Sequence, residues 1–183
     1  MKGAFVYFGS QRSQPTVIAF QFNPETLTRK LEAEAVTPPG PRTGHARSKA
    51  TPRQLITFTL VLQATEQPAA DLGALPLMSA LEMLMYAGAA APGSLTLFVW
   101  GRNRVLPVHL RELRIVEQSF NSSLQPIRAE IEVVLAARDR TGFGGAAWAR
   151  RYWDDYIAQV RQAAEAAPGG SLRDVGLPPT AER

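Results

Sequence analysis

Glu130 and Glu132 are the residues best spaced for general acid–base work. They stand two apart in a strand-like run, so both carboxylates point to one side of it, as a catalytic pair would. Ile131 and Val133 alternate with them. That alternation puts the acids on a solvent or interface face, the ordinary place for strand charges. Ser122 and Ser123 lie in a turn with no histidine close by, and no G-x-S-x-G elbow marks either as a nucleophile. A triad is assembled in space, so a hydrolase with an unmarked triad stays open as the weakest reading. His45 falls in a basic loop and His109 in a strand. Lone histidines of this kind are more often structural than ligands. With two histidines and no cysteine, a three-His metal site, a thiolate centre, a thiol nucleophile and a disulfide framework are all excluded within one chain. There is no P-loop and no dinucleotide fingerprint. The run Gly142-Phe143-Gly144-Gly145 follows a strand and precedes a helix, but it lacks phosphate-loop spacing and reads as a joint. We therefore expect no catalytic residues, no cofactor and no metal.

Two further clusters concern binding. Residues 36–53 contain four prolines and two glycines, with Arg42, Arg47, Lys49, Arg53 and His45 and no acid. Such a loop could hold phosphate or an acidic neighbour, or it could be simply solvated. It has no aromatic residue for base stacking, which argues against nucleic acid. Trp148, Tyr152, Trp153 and Tyr156 form a stripe at helical spacing. It can pack on the chain's own sheet, or it can meet another subunit, since Trp and Tyr are favoured at interfaces.

The elements that must position these residues alternate with period two for most of the chain. Ala4–Phe8 and Val17–Phe22 are β-prone, and Asn23-Pro24 makes a turn. Residues 27–35 read as a long, exposed strand near an edge. In 54–64, Ile56, Phe58, Leu60 and Leu62 share one face. From Leu77 the period becomes helical, with Leu77, Leu81, Leu84 and Met85 on one face; the segment is apolar nearly all round and should be largely buried. Residues 95–100 form a strand and Gly101–Arg104 a tight turn. In the next strand, Leu106, Val108 and Leu110 change parity to Leu113 and Ile115, which a bulge near Arg111-Glu112 would explain. Pro107 suggests that this strand starts at an edge or bend. Residues 127–135 alternate again. Residues 146–167 read as an amphipathic helix with Arg150–Asp154 and Arg151–Asp155 pairs on its outer side, and a Gly/Pro tail follows from Pro168.

With 183 residues, 45% hydrophobic and 20% charged, the chain can bury a core. Its net charge of +4 is too small to imply nucleic acid. No apolar run reaches the ~18 residues of a membrane helix, and the N-terminus lacks the apolar stretch of a secretory signal. We expect cytoplasmic assembly and an α+β, mainly antiparallel β fold. It would be a β-sandwich or barrel with one buried helix, spanning residues 1–140, followed by a C-terminal amphipathic helix and tail over 141–183.

Phe20-Gln21-Phe22-Asn23-Pro24-Glu25 resembles the F-x-F-N-P-E opening of a family of tube and baseplate proteins of phage-tail-like contractile injection systems. The order of the later segments is also similar: a Pro/Gly-rich loop, the strand Leu55–Leu60, a short helix, Leu97-Phe98-Val99-Trp100-Gly101, and a strand entry at Gln125-Pro126-Ile127-Arg128-Ala129. The likeness spans roughly residues 3–138. It implies a tube-protomer-like fold without catalysis, in a homo-hexamer stacked on the inner tube protein. Such a ring joins the tube to the baseplate, spike hub or sheath, or caps its end as initiator or terminator, within a particle that can be released. Two features depart from the family. Residues 139–183 do not look like the LysM module of many members, and the turn 121–124 lacks the family's glycine. Within this reading, strand 27–35 offers an edge to neighbours, the loop with Arg42, Arg47, Lys49 and Arg53 reaches the next ring, and face 128–132 lines the lumen. The competing reading is a monomeric β-barrel that binds nucleic acid or another anion through loop 42–53.

Overall fold

The computed structural model describes residues 1–9, 14–33, 53–64, 72–90, 93–138 and 147–170. Its elements are β1 (Ala4–Phe8), β2 (Thr16–Ala19), β3 (Thr28–Glu32), β4 (Arg53–Gln63), α1 (Leu75–Ala90), β5 (Leu95–Val99), β6 (Val105–Phe120), β7 (Pro126–Ala137), a 3-10 turn (Ala147–Ala149) and α2 (Arg150–Glu165). The seven strands form one antiparallel sheet in the order β2-β1-β5-β6-β7-β4-β3. The fold is thus α+β and mainly antiparallel, with two helices.

The sheet is rolled. β1 and β4 are separated by three intervening strands, so in a flat sheet they would lie about 19 Å apart at ~4.8 Å per strand. Yet the rings of Phe5 on β1 and Phe58 on β4 have centroids 6.4 Å apart. Phe5, Phe20, Phe58 and Phe98 form one cluster whose pairwise centroid distances run from 5.2 to 6.4 Å. The inward residues of β4 (Ile56, Phe58, Leu60, Leu62) and of β7 (Ala129, Ile131, Val133, Leu135) are buried around it. Both strands therefore keep the alternation read from their sequences.

The seam of the roll is closed by a side chain. Gln21 Nε2 donates to the Gln63 carbonyl at 2.6 Å, and its Oε1 accepts from the Gln63 N–H at 2.8 Å. One amide thus does what a neighbouring strand would do for the last residue of β4. Close packing beside it depends on Gly3, where a Cβ would lie 2.7 Å from the Phe20 ring.

Some expectations hold and others are corrected. Of the strand expected over 27–35, Thr28–Glu32 form β3, which lies at the sheet edge as expected, and residues 34–35 fall outside the described residues. The parity change in β6 is the expected bulge: Leu110 pairs with Leu135 and Glu112 with Val134, leaving Arg111 as the extra residue. Pro107, however, does not mark an edge, because β6 is flanked by β5 and β7. It sits one residue before the β6–β7 ladder begins, where its carbonyl accepts from Arg138 N–H at 2.9 Å and its missing N–H interrupts no pairing.

The helix expected to be largely buried is buried on one stripe only. Met78, Leu81 and Leu84 face the sheet, whereas Met83 and Tyr86 are 60% and 67% exposed. The helix lies outside the roll against β2, β5 and β6, so one face alone can meet protein. Ile127, in the inward parity of the alternating run 127–135, is 37% exposed, because it lies near the hairpin tip beyond the core. On α2, the guanidinium of Arg151 stacks 4.9 Å from the Tyr152 ring and donates to its hydroxyl at 3.1 Å rather than pairing with Asp155. No described helix is long and apolar enough to cross a membrane.

Candidate assembly surfaces

Cross-strand partners share a sheet face, so the registers define the face turned away from the core. It carries Lys30 and Glu32 from β3, Thr57 and Thr59 from β4, Arg128, Glu130 and Glu132 from β7, and Glu112 and Arg114 from β6. Among the described residues, three ion pairs lie on it: Lys30–Glu32 at 2.6 Å, Arg114–Glu132 at 3.8 Å and Arg128–Glu130 at 3.1 Å. Lys30 holds the Glu32 carboxyl below its ordinary range, by hydrogen bond and by charge. Glu130 and Glu132 do share a face, as expected, but each is turned to a different arginine.

Among the described residues, the patch β6-β7-β4-β3 has two open sides. There β3 ends the sheet, and β5 pairs with β6 over Val105–Val108 only, so the rest of β6, to Phe120, has a ladder on its β7 side alone. Leu31 on β3 and Val116 on β6 are 61% and 42% exposed along these sides. The β6–β7 hairpin closes at Asn121, whose Oδ1 accepts from the N–H groups of Ser123 and Gln125 at 3.0 and 2.9 Å. Ser122 and Ser123 therefore belong to an Asx-capped turn. In this turn Leu124 adopts φ 58° while 79% exposed.

The residues of the opening motif hold the fold at its seam. Phe20 is buried in the aromatic cluster. Asn23 Oδ1 accepts from Gly3 N–H at 2.8 Å, and its Nδ2 donates to the Met1 carbonyl at 3.1 Å. Phe22, half exposed, lines with Pro24 and Glu25 a shallow groove against Thr59 and Val61. At the second motif, Pro126 is buried and its carbonyl accepts from Ala74 N–H at 2.8 Å. Ala129 is fully buried, and Arg128 pairs with Glu130 while its Nε is buried without a partner among the described residues.

Of the expected contact residues, Arg53 is exposed at the start of β4, opposite Glu32. Arg42, Arg47, Lys49 and His45 lie outside the described residues, as does the glycine run at 142–145. Trp153 and Tyr156 are buried against the chain's own sheet. Trp148 and Tyr152 are half-buried against Phe8, at centroid distances of 5.3 and 6.5 Å.

Three positions went unrecognised in the sequence. Gln21 belonged to the motif, but its role as seam clip carries no one-dimensional signal. Gly73 lies at φ +59° with the space for a Cβ filled by the Pro126 carbonyl oxygen at 2.2 Å; a lone Gly before a Pro-initiated helix could have pointed to it. Arg138 donates from Nε to His109 Nε2 at 2.7 Å and from Nη1 to the Ser94 carbonyl at 3.0 Å. Burial, and then the Arg138 charge, push the His109 imidazole down to about 4, which makes it a neutral acceptor at pH 7. Among the described residues, no group of acidic or histidine side chains could hold a metal.

No curated protein matches the chain in sequence. Among solved structures, a chain of the "Virion of native gene transfer agent (GTA) particle" is similar at TM-score 0.38 and 10% identity, covering 74% of this chain and 91% of that one. A chain of the "Tail of empty GTA particle computed with helical refinement, C6 symmetry" is similar at TM-score 0.39 and 11% identity, covering 74% and 90%. The family model for the contractile injection system tube protein matches residues 6–141, nearly the whole rolled sheet. The chain belongs to the contractile injection system tube protein family.

Proposed function

We propose that the chain is a non-enzymatic structural subunit that closes into a homo-hexameric ring, stacked coaxially on the inner tube. The ring joins the tube to the baseplate or spike hub, or caps its end, and is assembled in the cytoplasm. The observation that carries this reading is the patch β6-β7-β4-β3 with an open side on each flank. An unpaired strand side is a template for another chain. Four alternating strands make β6 antiparallel to β3, so β3 of one copy can add to β6 of the next and continue the antiparallel pattern. The two surfaces differ, so the contact is head-to-tail and closes when the rotation closes. The charged face with Arg128, Glu130 and Glu132 then lines the lumen, and residues 1–140 are the ring-forming unit. Loop 36–53, through Arg42, Arg47 and Lys49, reaches the next ring, and the half-buried Trp148 and Tyr152 add a contact from the helical extension.

The test is Leu31→Lys, which puts a charge on the open side of β3. The side chain is already mostly exposed, so the melting temperature of the isolated chain should stay within a few degrees. Ring formation, read as native mass, should be lost. Rings of unchanged mass would remove β3 from the interface. Separately, Asp at Arg42, Arg47 and Lys49 together should weaken stacking while leaving single rings intact; unchanged stacking would remove the loop from the account.

A further inference from the structure

An open groove of about 660 Å³ runs between β3, the β5–β6 turn and the C-terminal half of α2. Arg29 and Arg104 both face it, together with Tyr156 and Gln159. Arg29 Nη2 donates to the Tyr156 hydroxyl at 2.9 Å, which anchors the guanidinium. The buried Gln54 amide lies 3.2 Å from the same hydroxyl; with its NH2 turned toward it, its oxygen accepts from Arg29 Nε at 3.0 Å. In that arrangement the hydroxyl receives two donors, and its own proton is left to donate into the groove.

Arg104 is partly buried, and both that burial and the charge of Arg29 disfavour its protonated form. Among the described residues, no acidic side chain lines the groove. The ion pairs among the described residues engage other cations, namely Lys30, Arg114 and Arg128. The C-terminal end of α2 contributes a partial negative charge of about one half, which leaves most of two guanidinium charges uncompensated. The amide oxygen of Gln159 is also buried without a partner among the described residues. Two guanidinium groups, that of Arg29 anchored, and a hydroxyl donor thus converge on one opening, while the Gln159 oxygen, an acceptor, takes no part in holding an anion.

We propose that Arg29 and Arg104 bind a carboxylate side chain presented by a neighbouring protein chain. Arg29 sits on β3, at the open side of the sheet, so a strand added there passes the mouth of the groove; to that extent the inference rests on the edge-pairing reading above. Guanidinium pairs suit planar carboxylates, which they bind by parallel N–H···O bonds.

The experiment replaces Arg104, whose side chain makes no hydrogen bond among the described residues. In assemblies carrying Arg104→Lys, a zero-length carbodiimide should join the introduced amine to an Asp or Glu of another chain, identified by peptide mass spectrometry. Arg104→Glu should lower the yield of assemblies at least tenfold while the isolated chain melts within a few degrees of wild type. Cross-links confined to the same chain, or full assembly by Arg104→Glu, would overturn the carboxylate contact and leave ring formation standing. A wild-type chain that forms no assembly would overturn the edge-pairing reading itself. If millimolar inorganic phosphate or acetate raised the melting temperature of wild type but not of Arg104→Gln, with no intermolecular cross-link, the groove would be a small-anion site and the proposal would fail.

Discussion

Replacing Gly73 by Ala should destabilise the chain more than any other glycine-to-alanine change among the described residues. Gly73 holds φ +59°, and a Cβ there would sit 2.2 Å from the Pro126 carbonyl oxygen. The left-handed conformation alone costs a residue with a Cβ roughly 1–2 kcal/mol. The clash is with backbone rather than a movable side chain, so strand β7 and the start of α1 must separate. Separation breaks the 2.8 Å bond from Ala74 N–H to that same carbonyl, and an unmet buried group costs about 1–3 kcal/mol. The sum is about 2–5 kcal/mol. For a domain of this size that lowers the melting temperature by about 4–20 °C, at about 2–4 °C per kcal/mol. Circular dichroism melts of wild type and Gly73→Ala, with urea titrations for the free energy, measure it directly. A loss under about 0.5 kcal/mol would mean that the close approach of Gly73 to Pro126 does not exist.

Three other outcomes are expected. Leu124→Gly should stabilise by about 0.5–1 kcal/mol, since the left-handed position is relieved and an exposed side chain is removed; a destabilisation in urea melts would contradict the turn geometry. Gln21→Ala should cost about 1–3 kcal/mol through the two Gln63 bonds, and hydrogen exchange should show the end of β4 opening first; uniform exchange would remove the seam clip. Because the His109 imidazole is pushed down to about 4 in the folded chain, against about 6.5 unfolded, the unfolded state binds the extra proton between those values. Its contribution is therefore full above pH 6.5 and lost as pH falls toward 4. Linkage caps this near 3 kcal/mol, and partial exposure of the ring reduces it to about 1–2. His109→Gln should flatten that part of the stability–pH curve; parallel curves would refute the assignment.

Much of the fold was legible because period-two alternation is local. Ile56, Phe58, Leu60 and Leu62 declared their face, and the parity change from Leu110 to Leu113 declared the bulge. What was not legible depends on contacts remote in sequence. The exposure of Met83 and Tyr86 follows from where α1 lies on the roll, which composition does not encode. The same is true of the Gln21–Gln63 clip, 42 residues apart, and of Arg29 meeting Tyr156 across 127 residues. The opening motif was visible as a string, yet the structure gives Asn23 and Gln21 the work of closing the fold, a role that only their hydrogen bonds reveal.

In the proposed ring, copies join by adding β3 of one to β6 of the next. Cryo-electron microscopy of the purified assembly decides this. The expected result is a closed ring in which one continuous antiparallel sheet runs through every subunit boundary, with Leu31 covered by the neighbour's β6. A ring whose subunits meet through other surfaces, leaving the outer sides of β3 and β6 in solvent, would contradict it.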